Sequence, residues 1–69
     1  MAVSYDSVQK AIKKLKKMYN VVEEGMPPKL GIYAGNIKIG TISFNGRVTP
    51  KSSSYKKVLQ DIVNLAKKT

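Results

Sequence analysis

Hydrophobic residues recur at helical spacing through the first third of the chain. At 100° per residue they fall within an arc of roughly 120°, which predicts an amphipathic helix with one apolar face. The positions that form this face are Val8, Ala11, Ile12, Leu15, Met18, Tyr19 and Val22.

Polar residues predict where this first helix begins and ends. Ser4 or Asp6 can cap its start, and Asp6 followed by Gln9 is typical of a capping box. The pattern leaves two ends open: the helix stops at Asn20, with an extended segment after it, or runs to a cap at Gly25.

A strict alternation of apolar and polar residues then predicts a hairpin. Gly35–Asn36 is a two-residue turn suited to positive φ, and it joins two strands whose apolar residues share one face. The predicted core-face pairs are Ala34 with Ile37, Ile32 with Ile39, and Leu30 with Thr41, and the pair on the opposite, open face is Tyr33 with Lys38.

Asn45-Gly46 predicts a second hairpin, and here the alternation breaks. The turn pairs Phe44 with Arg47, Ser43 with Val48, and Ile42 with Thr49.

Two structures remain compatible with this break. A β-bulge at Gly40-Thr41 would bury Ile42 and Phe44. Without it, the open face would carry an aromatic and basic platform of the kind on which single-stranded nucleic acid stacks, formed by Tyr33, Lys38, Ile42, Phe44 and Arg47.

A second amphipathic helix closes the chain. Pro50 ends the third strand, and Ser52, Ser53 and Ser54 are candidate N-caps. The apolar stripe consists of Tyr55, Val58, Leu59, Ile62, Val63, Leu65 and Ala66.

The predicted fold is therefore α+β: one domain over residues 1–69, with a three-stranded antiparallel meander and two helices on one face, in the order αβββα.

The net charge of the chain gives the first indication of its function. The 69 residues carry 13 Lys+Arg against 4 Asp+Glu, a formal net charge of +9. Self-repulsion of this size in a small domain would be relieved by an anionic partner. The lysines of the first helix lie opposite its apolar stripe with no acid among them, and they are Lys10, Lys13, Lys14 and Lys17.

A second basic group surrounds the start of the second helix. Lys56 and Lys57 stand in its first turn, where cations oppose the helix dipole, and Lys51 lies close before it. Together with the residues on the sheet, the predicted nucleic-acid contacts are Lys10, Lys13, Lys14, Lys17, Lys38, Arg47, Lys51, Lys56 and Lys57, with Tyr33 and Phe44 as candidate stacking residues.

The absence of cysteine and histidine restricts the chemistry. Disulfides, the usual zinc sites, and cysteine or histidine catalysis are excluded, so we expect neither an enzyme nor a metal or other cofactor. No apolar run approaches the ~20 residues that span a bilayer, and the first residues lack the pattern of a signal peptide. We therefore expect a cytoplasmic protein without a membrane partner.

The order of elements, the glycine turn after the first strand and Lys56-Lys57 at the last helix resemble the double-stranded RNA-binding domain. This resemblance implies RNA contacts by helix 1, by the Gly35–Asn36 turn and by Lys56 and Lys57. The segment Arg47-Val48-Thr49-Pro50 before a helix is similar to the third-strand exit of HicA-type toxins, which share the fold. Those enzymes rely on a histidine in the sheet, and this chain has none.

The sequence thus predicts a small basic protein that contacts the phosphate backbone of nucleic acid, with duplex favoured over single strand. The alternative is a phage or mobile-element accessory protein that binds and inhibits or regulates a host protein. Either would act as a monomer or a homodimer.

Overall fold

The computed structural model describes residues 3–68 and contains two helices and a four-stranded sheet. The elements follow the order α1 (Tyr5–Lys14), β1 (Asn20–Glu24), β2 (Lys29–Ala34), β3 (Ile37–Ile42), β4 (Val48–Pro50), a 3₁₀ turn (Ser53–Tyr55) and α2 (Lys56–Lys67). The sheet is an antiparallel meander in the order β1-β2-β3-β4. The α+β class is confirmed.

The prediction of three strands was wrong, because the extended segment that one of the two predicted helix ends left after Asn20 is a fourth strand, β1. Asn20 pairs with Tyr33 and Glu24 with Lys29, which makes β1 the edge strand beside β2. Two residues of the predicted apolar stripe consequently lie outside the core: the side chains of Met18 and Val22 are 93% and 46% exposed.

The end of α1 is defined by a left-handed residue. Lys16 has φ 57°, its N–H donates to the carbonyl of Lys13 at 3.0 Å, and the N–H of Lys17 donates to that of Ile12 at 3.2 Å. These two bonds form a Schellman motif, with lysine in the position that glycine usually takes. The motif turns the chain toward β1, so the helix ends well before either predicted end.

Serines rather than acids cap α1. Ser4 accepts from the backbone N–H of Ser7, and the Ser7 side chain accepts from that of Ser4, which completes a capping box. Ser4 was one of the two predicted caps, whereas the predicted box of Asp6 and Gln9 was wrong. The start of α2 also differs from the prediction, because the serines before it form a 3₁₀ turn without a side-chain cap bond.

A β-bulge determines which residues of β3 face the core. Tyr33 pairs with Lys38 as predicted, but Ile32 pairs with Gly40 and Leu30 with Ile42, so Ile39 is the extra residue. The bulge therefore lies one residue before its predicted position, and the predicted pairs of Ile32 and Leu30 were wrong. The bulge buries Ile42 completely, as predicted.

The second hairpin has a longer loop than predicted. Ile42 pairs with Val48 and Thr41 with Thr49, which shifts the predicted register and leaves residues 43–47 as the connection. The Ser43 N–H donates to the carbonyl of Arg47 at 2.8 Å. Phe44 is half-buried and packs against the core, so the aromatic platform that required an unbulged strand is not formed.

The two helices cover one face of the sheet. The buried residues form one cluster: Val3, Val8, Ala11, Ile12, Val21, Leu30, Ile32, Ile39, Ile42, Leu59, Ile62, Val63 and Ala66. Ile37 was predicted to lie on the core face, but it stands beside the turn, outside this cluster, and is 64% exposed. Across residues 3–68, no helix has the length and apolarity needed to span a membrane.

Gly40 packs too closely against its neighbours to accept a side chain. A Cβ there would lie 2.5 Å from Leu59 Cδ1 and 2.8 Å from the Thr49 carbonyl oxygen. We expect Gly40→Ala to lower the free energy of unfolding by about 2 kcal/mol or more, because backbone atoms must move to admit the methyl group. The control is Gly35→Asn, since a Cβ at Gly35 meets nothing within 4 Å and asparagine tolerates positive φ. Equal losses in denaturant unfolding would contradict the close packing at Gly40.

Lys16 offers a stabilising substitution. Lys16→Gly should raise the free energy of unfolding by about 1 kcal/mol, because glycine removes the Cβ penalty of the left-handed conformation. Lys16→Ala removes the same charge and keeps the Cβ, so it should give no such gain. Chemical denaturation of both variants checks this, and a gain of equal size in the alanine variant would assign the effect to charge.

Candidate nucleic-acid interface

The two helices run antiparallel, which determines where their lysines lie. The Val3 N–H donates to the Phe44 carbonyl at 2.9 Å, so α1 begins at the end of the domain that holds the 43–47 loop. A Cβ on Gly46 would lie 3.0 Å from Lys67 Cε, so α2 finishes at that same end. The last turn of α1 and the first turn of α2 therefore share the opposite end, beside the Gly35–Asn36 turn.

This arrangement brings together two groups of lysines that are far apart in sequence. We call the end beside the Gly35–Asn36 turn the basic end. Its lysines come from the end of α1, the segment after it, and the approach to α2, and all are exposed: Lys13, Lys14, Lys16, Lys17, Lys51, Lys56 and Lys57. Six of these were predicted as contacts. Lys16 was missed because the predicted helix ran past it.

Three of the four carboxylates lie away from the basic end. Asp6 lies in the first turn of α1, and Glu23 and Glu24 end β1, all toward the 43–47 loop. Asp61, in α2, lies 3.7 Å from Lys57 Nζ, an exposed i,i+4 ion pair of the kind that contributes little. Within residues 3–68 the basic end is thus a cationic surface with almost no internal neutralisation.

The start of α2 adds the positive end of a helix dipole to this surface, while the N–H of Lys56 itself donates to the Ser53 carbonyl of the preceding 3₁₀ turn. No side chain caps α2, and its first turn contains no acid. The first N–H groups of a helix lack partners within it and carry partial positive charge. They therefore have the same sign of charge as Lys56 and Lys57 beside them.

A shallow open groove links the basic end to the sheet. The groove lies over β3 and β4. It is lined by Lys38 and Thr41 of β3, by Thr49 of β4, and by Lys51 directly after β4. The Lys51 N–H donates to the carbonyl of Ile39 at 2.9 Å, which fixes the backbone beside β3. Two ammonium groups and two hydroxyls are donors suited to a phosphate.

Lys38 is already partnered on the open face. Its Nζ lies 3.4 Å from Glu24 Oε1 and 5.9 Å from the centre of the Tyr33 ring. The Tyr33 hydroxyl donates to the same carboxylate oxygen at 2.9 Å. Gly31 makes this possible, because a Cβ there would overlap Glu24 Oε1. The three side chains form a closed network across β1, β2 and β3.

Other predicted contacts lie away from the basic end. Lys10 is in the middle of α1, three residues before Lys13, and Arg47 lies in the loop at the opposite end. Of the two candidate stacking residues, Tyr33 lies on the open face and Phe44 packs against the core. The structure therefore gathers six of the nine predicted cationic residues at the basic end and places Lys10 and Arg47 outside it. Lys38 shares the groove with Lys51 but is paired with Glu24.

In comparisons with known proteins, no family model, no curated protein and no solved structure matches the chain.

The network on the open face raises the pKa of Tyr33. The main cause is the hydrogen bond to Glu24, followed by desolvation and by the negative charge of Glu24, while Lys38 acts in the opposite direction. Glu24→Gln should lower this pKa toward its ordinary value, because the amide lacks the negative charge that opposes phenolate formation. An absorbance titration of the tyrosines measures the shift, and Tyr33→Phe identifies which transition belongs to Tyr33. An unchanged titration in Glu24→Gln would contradict the assigned cause.

Proposed function

We propose that the protein binds nucleic acid through its basic end and contacts mainly the phosphate backbone. The observation that carries the proposal is the convergence of seven exposed lysines from both helices on one end of the domain. Lysine ammonium groups bind phosphates as point charges and read no base sequence. The expected binding is therefore largely independent of sequence.

The physical gain lies in the release of counterions. A duplex carries one phosphate charge per about 1.7 Å along its axis, and each phosphate neutralised by a lysine frees condensed cations. The lysines of the basic end repel one another in the free protein, since no carboxylate stands among those of α1. Binding a polyanion relieves this repulsion in addition to releasing counterions.

Duplex is favoured over single strand because of where the aromatic residues lie. Single-strand binding relies on aromatic faces on which bases stack. Phe44 packs against the core, and the open face presents Tyr33 engaged with Glu24 and Lys38. A cluster of exposed lysines beside a helix start suits the evenly spaced phosphates of a duplex instead.

A salt titration with matched duplex and single-stranded DNA and RNA tests the proposal. If about six phosphates are neutralised on a duplex, log K against log[salt] should fall with a slope near −5. Removing two contacts, in Lys13→Gln/Lys14→Gln or in Lys56→Gln/Lys57→Gln, should reduce the slope to about −3.5 with an equal loss on all sequences.

The matched control removes two lysines from the opposite end. Lys67→Gln/Lys68→Gln changes the net charge by the same amount but leaves the basic end intact, so its slope should stay near that of the parent. Equal losses in all three variants would assign the binding to net charge alone. An affinity that does not fall with salt would exclude phosphate binding and leave the alternative of a protein partner.

A further inference from the structure

The edge strand β1 has one side without a partner. It pairs with β2 on one side only, and the outer edge of a sheet presents free N–H and C=O groups that another strand can bind. Short length, proline and charge protect natural edges. β1 spans five residues without proline, and its charges are the two glutamates at its end. Exposed apolar side chains accompany it, namely Met18 at 93% and Val22 at 46% exposure.

The segment that contains β1 is complementary to itself when it is read in the opposite direction. Residues 16–24 read KKMYNVVEE: two lysines, two apolar residues, one asparagine, two apolar residues and two glutamates. Antiparallel pairing about Asn20 places Lys17 opposite Glu23, Met18 opposite Val22, and Tyr19 opposite Val21.

We infer that two copies of the chain pair antiparallel about a two-fold axis at Asn20, so that residues 20–23 of β1 in each copy lie against residues 17–20 of the other and the two sheets join into one of eight strands. The occupant of the edge is thus a second copy of this chain. The inference rests on charge complementarity along an unpaired edge, and it does not depend on the proposed binding of nucleic acid.

Residues 17–19 precede β1 and would continue its alternation once the partner pairs with them, which assigns each pair to a face of the joined sheet. Val21 is buried on the helix side, so Lys17, Tyr19 and Glu23 belong to that side. Met18 and Val22 then meet on the open face and cover each other's exposed surface. Glu24 keeps its bonds to Lys38 and Tyr33, so the charge of the interface is carried by Lys17 and Glu23.

Each of these pairs forms twice because of the two-fold symmetry. Within residues 3–68, the carboxylates that form intramolecular ion pairs are those of Glu24 and Asp61, so Glu23 is available for a lysine of the partner. Opposite charges directly across a strand pair are stabilising and like charges are destabilising. The register about Asn20 satisfies this rule at both ends.

Charge reversal tests the interface by exchange between two variants. Lys17→Glu places two glutamates opposite each other, and Glu23→Lys places two lysines opposite each other. Each variant alone should dimerise about tenfold or more weakly than the parent, because two attractions become two repulsions. A mixture of the two variants regains both Lys–Glu pairs, so it should form a heterodimer with an affinity near that of the parent.

Sedimentation equilibrium of nuclease-treated protein at about 0.15 M salt gives the masses, and circular dichroism confirms that each variant is folded. A parent protein that remains monomeric at about 1 mM would overturn the inference, since the edge would then have no affinity for a second copy. Variants that dimerise as tightly as the parent would also overturn the inference. So would a mixture of the two variants that dimerises no more tightly than either variant alone.

A cysteine scan tests the register. The chain has no cysteine of its own. Asn20→Cys places two thiols opposite each other on the axis, where cross-strand Cβ atoms lie about 4.5–5.5 Å apart, so oxidation should yield a covalent dimer. Val22→Cys faces Met18 of the partner and should cross-link far less. A reversed order of the two yields would overturn the axis at Asn20.

Discussion

The close approach of Gly40 to α2 and β4 is the contact that determines which side chains of β3 face the core. The bulge at Ile39 adds one residue to β3, and the missing side chain at Gly40 lets Leu59 and the β4 backbone pack against the strand. Because side chains alternate along a strand, this one extra residue turns Ile42 inward. The core of a domain with so few apolar residues depends on that change of face.

The bulge also decides which surfaces remain for function. With Ile42 in the core and Phe44 packed against it, the centre of the open face is occupied by Tyr33, Glu24 and Lys38, which are bound to one another. The free cations are concentrated instead where two antiparallel helices place opposite termini side by side. The basic end therefore results from the antiparallel direction of the two helices, more than from any single side chain.

Much of this structure follows from local patterns in the sequence. The Gly35–Asn36 turn, the Tyr33–Lys38 pair, the stripe of α2 and the need for a bulge are each encoded within a few residues. The extent of α1 was not predictable in this way, because Met18 and Val22 continue a helical period although they lie beyond the Schellman motif. Lys16 occupies its left-handed position without the glycine that would have marked it. Likewise, the basic end depends on the relative direction of the two helices, which is a property of tertiary packing and of no single segment.

The placement of the carboxylates has a consequence for how the molecule moves in a field. Asp6, Glu23 and Glu24 lie toward one end and seven lysines lie at the other, so the centres of negative and positive charge do not coincide. Such a separation gives the protein a permanent dipole moment in addition to its net charge. The potential around any large anion therefore exerts a torque as well as a pull, and it turns the domain before contact so that the lysine-rich end arrives first.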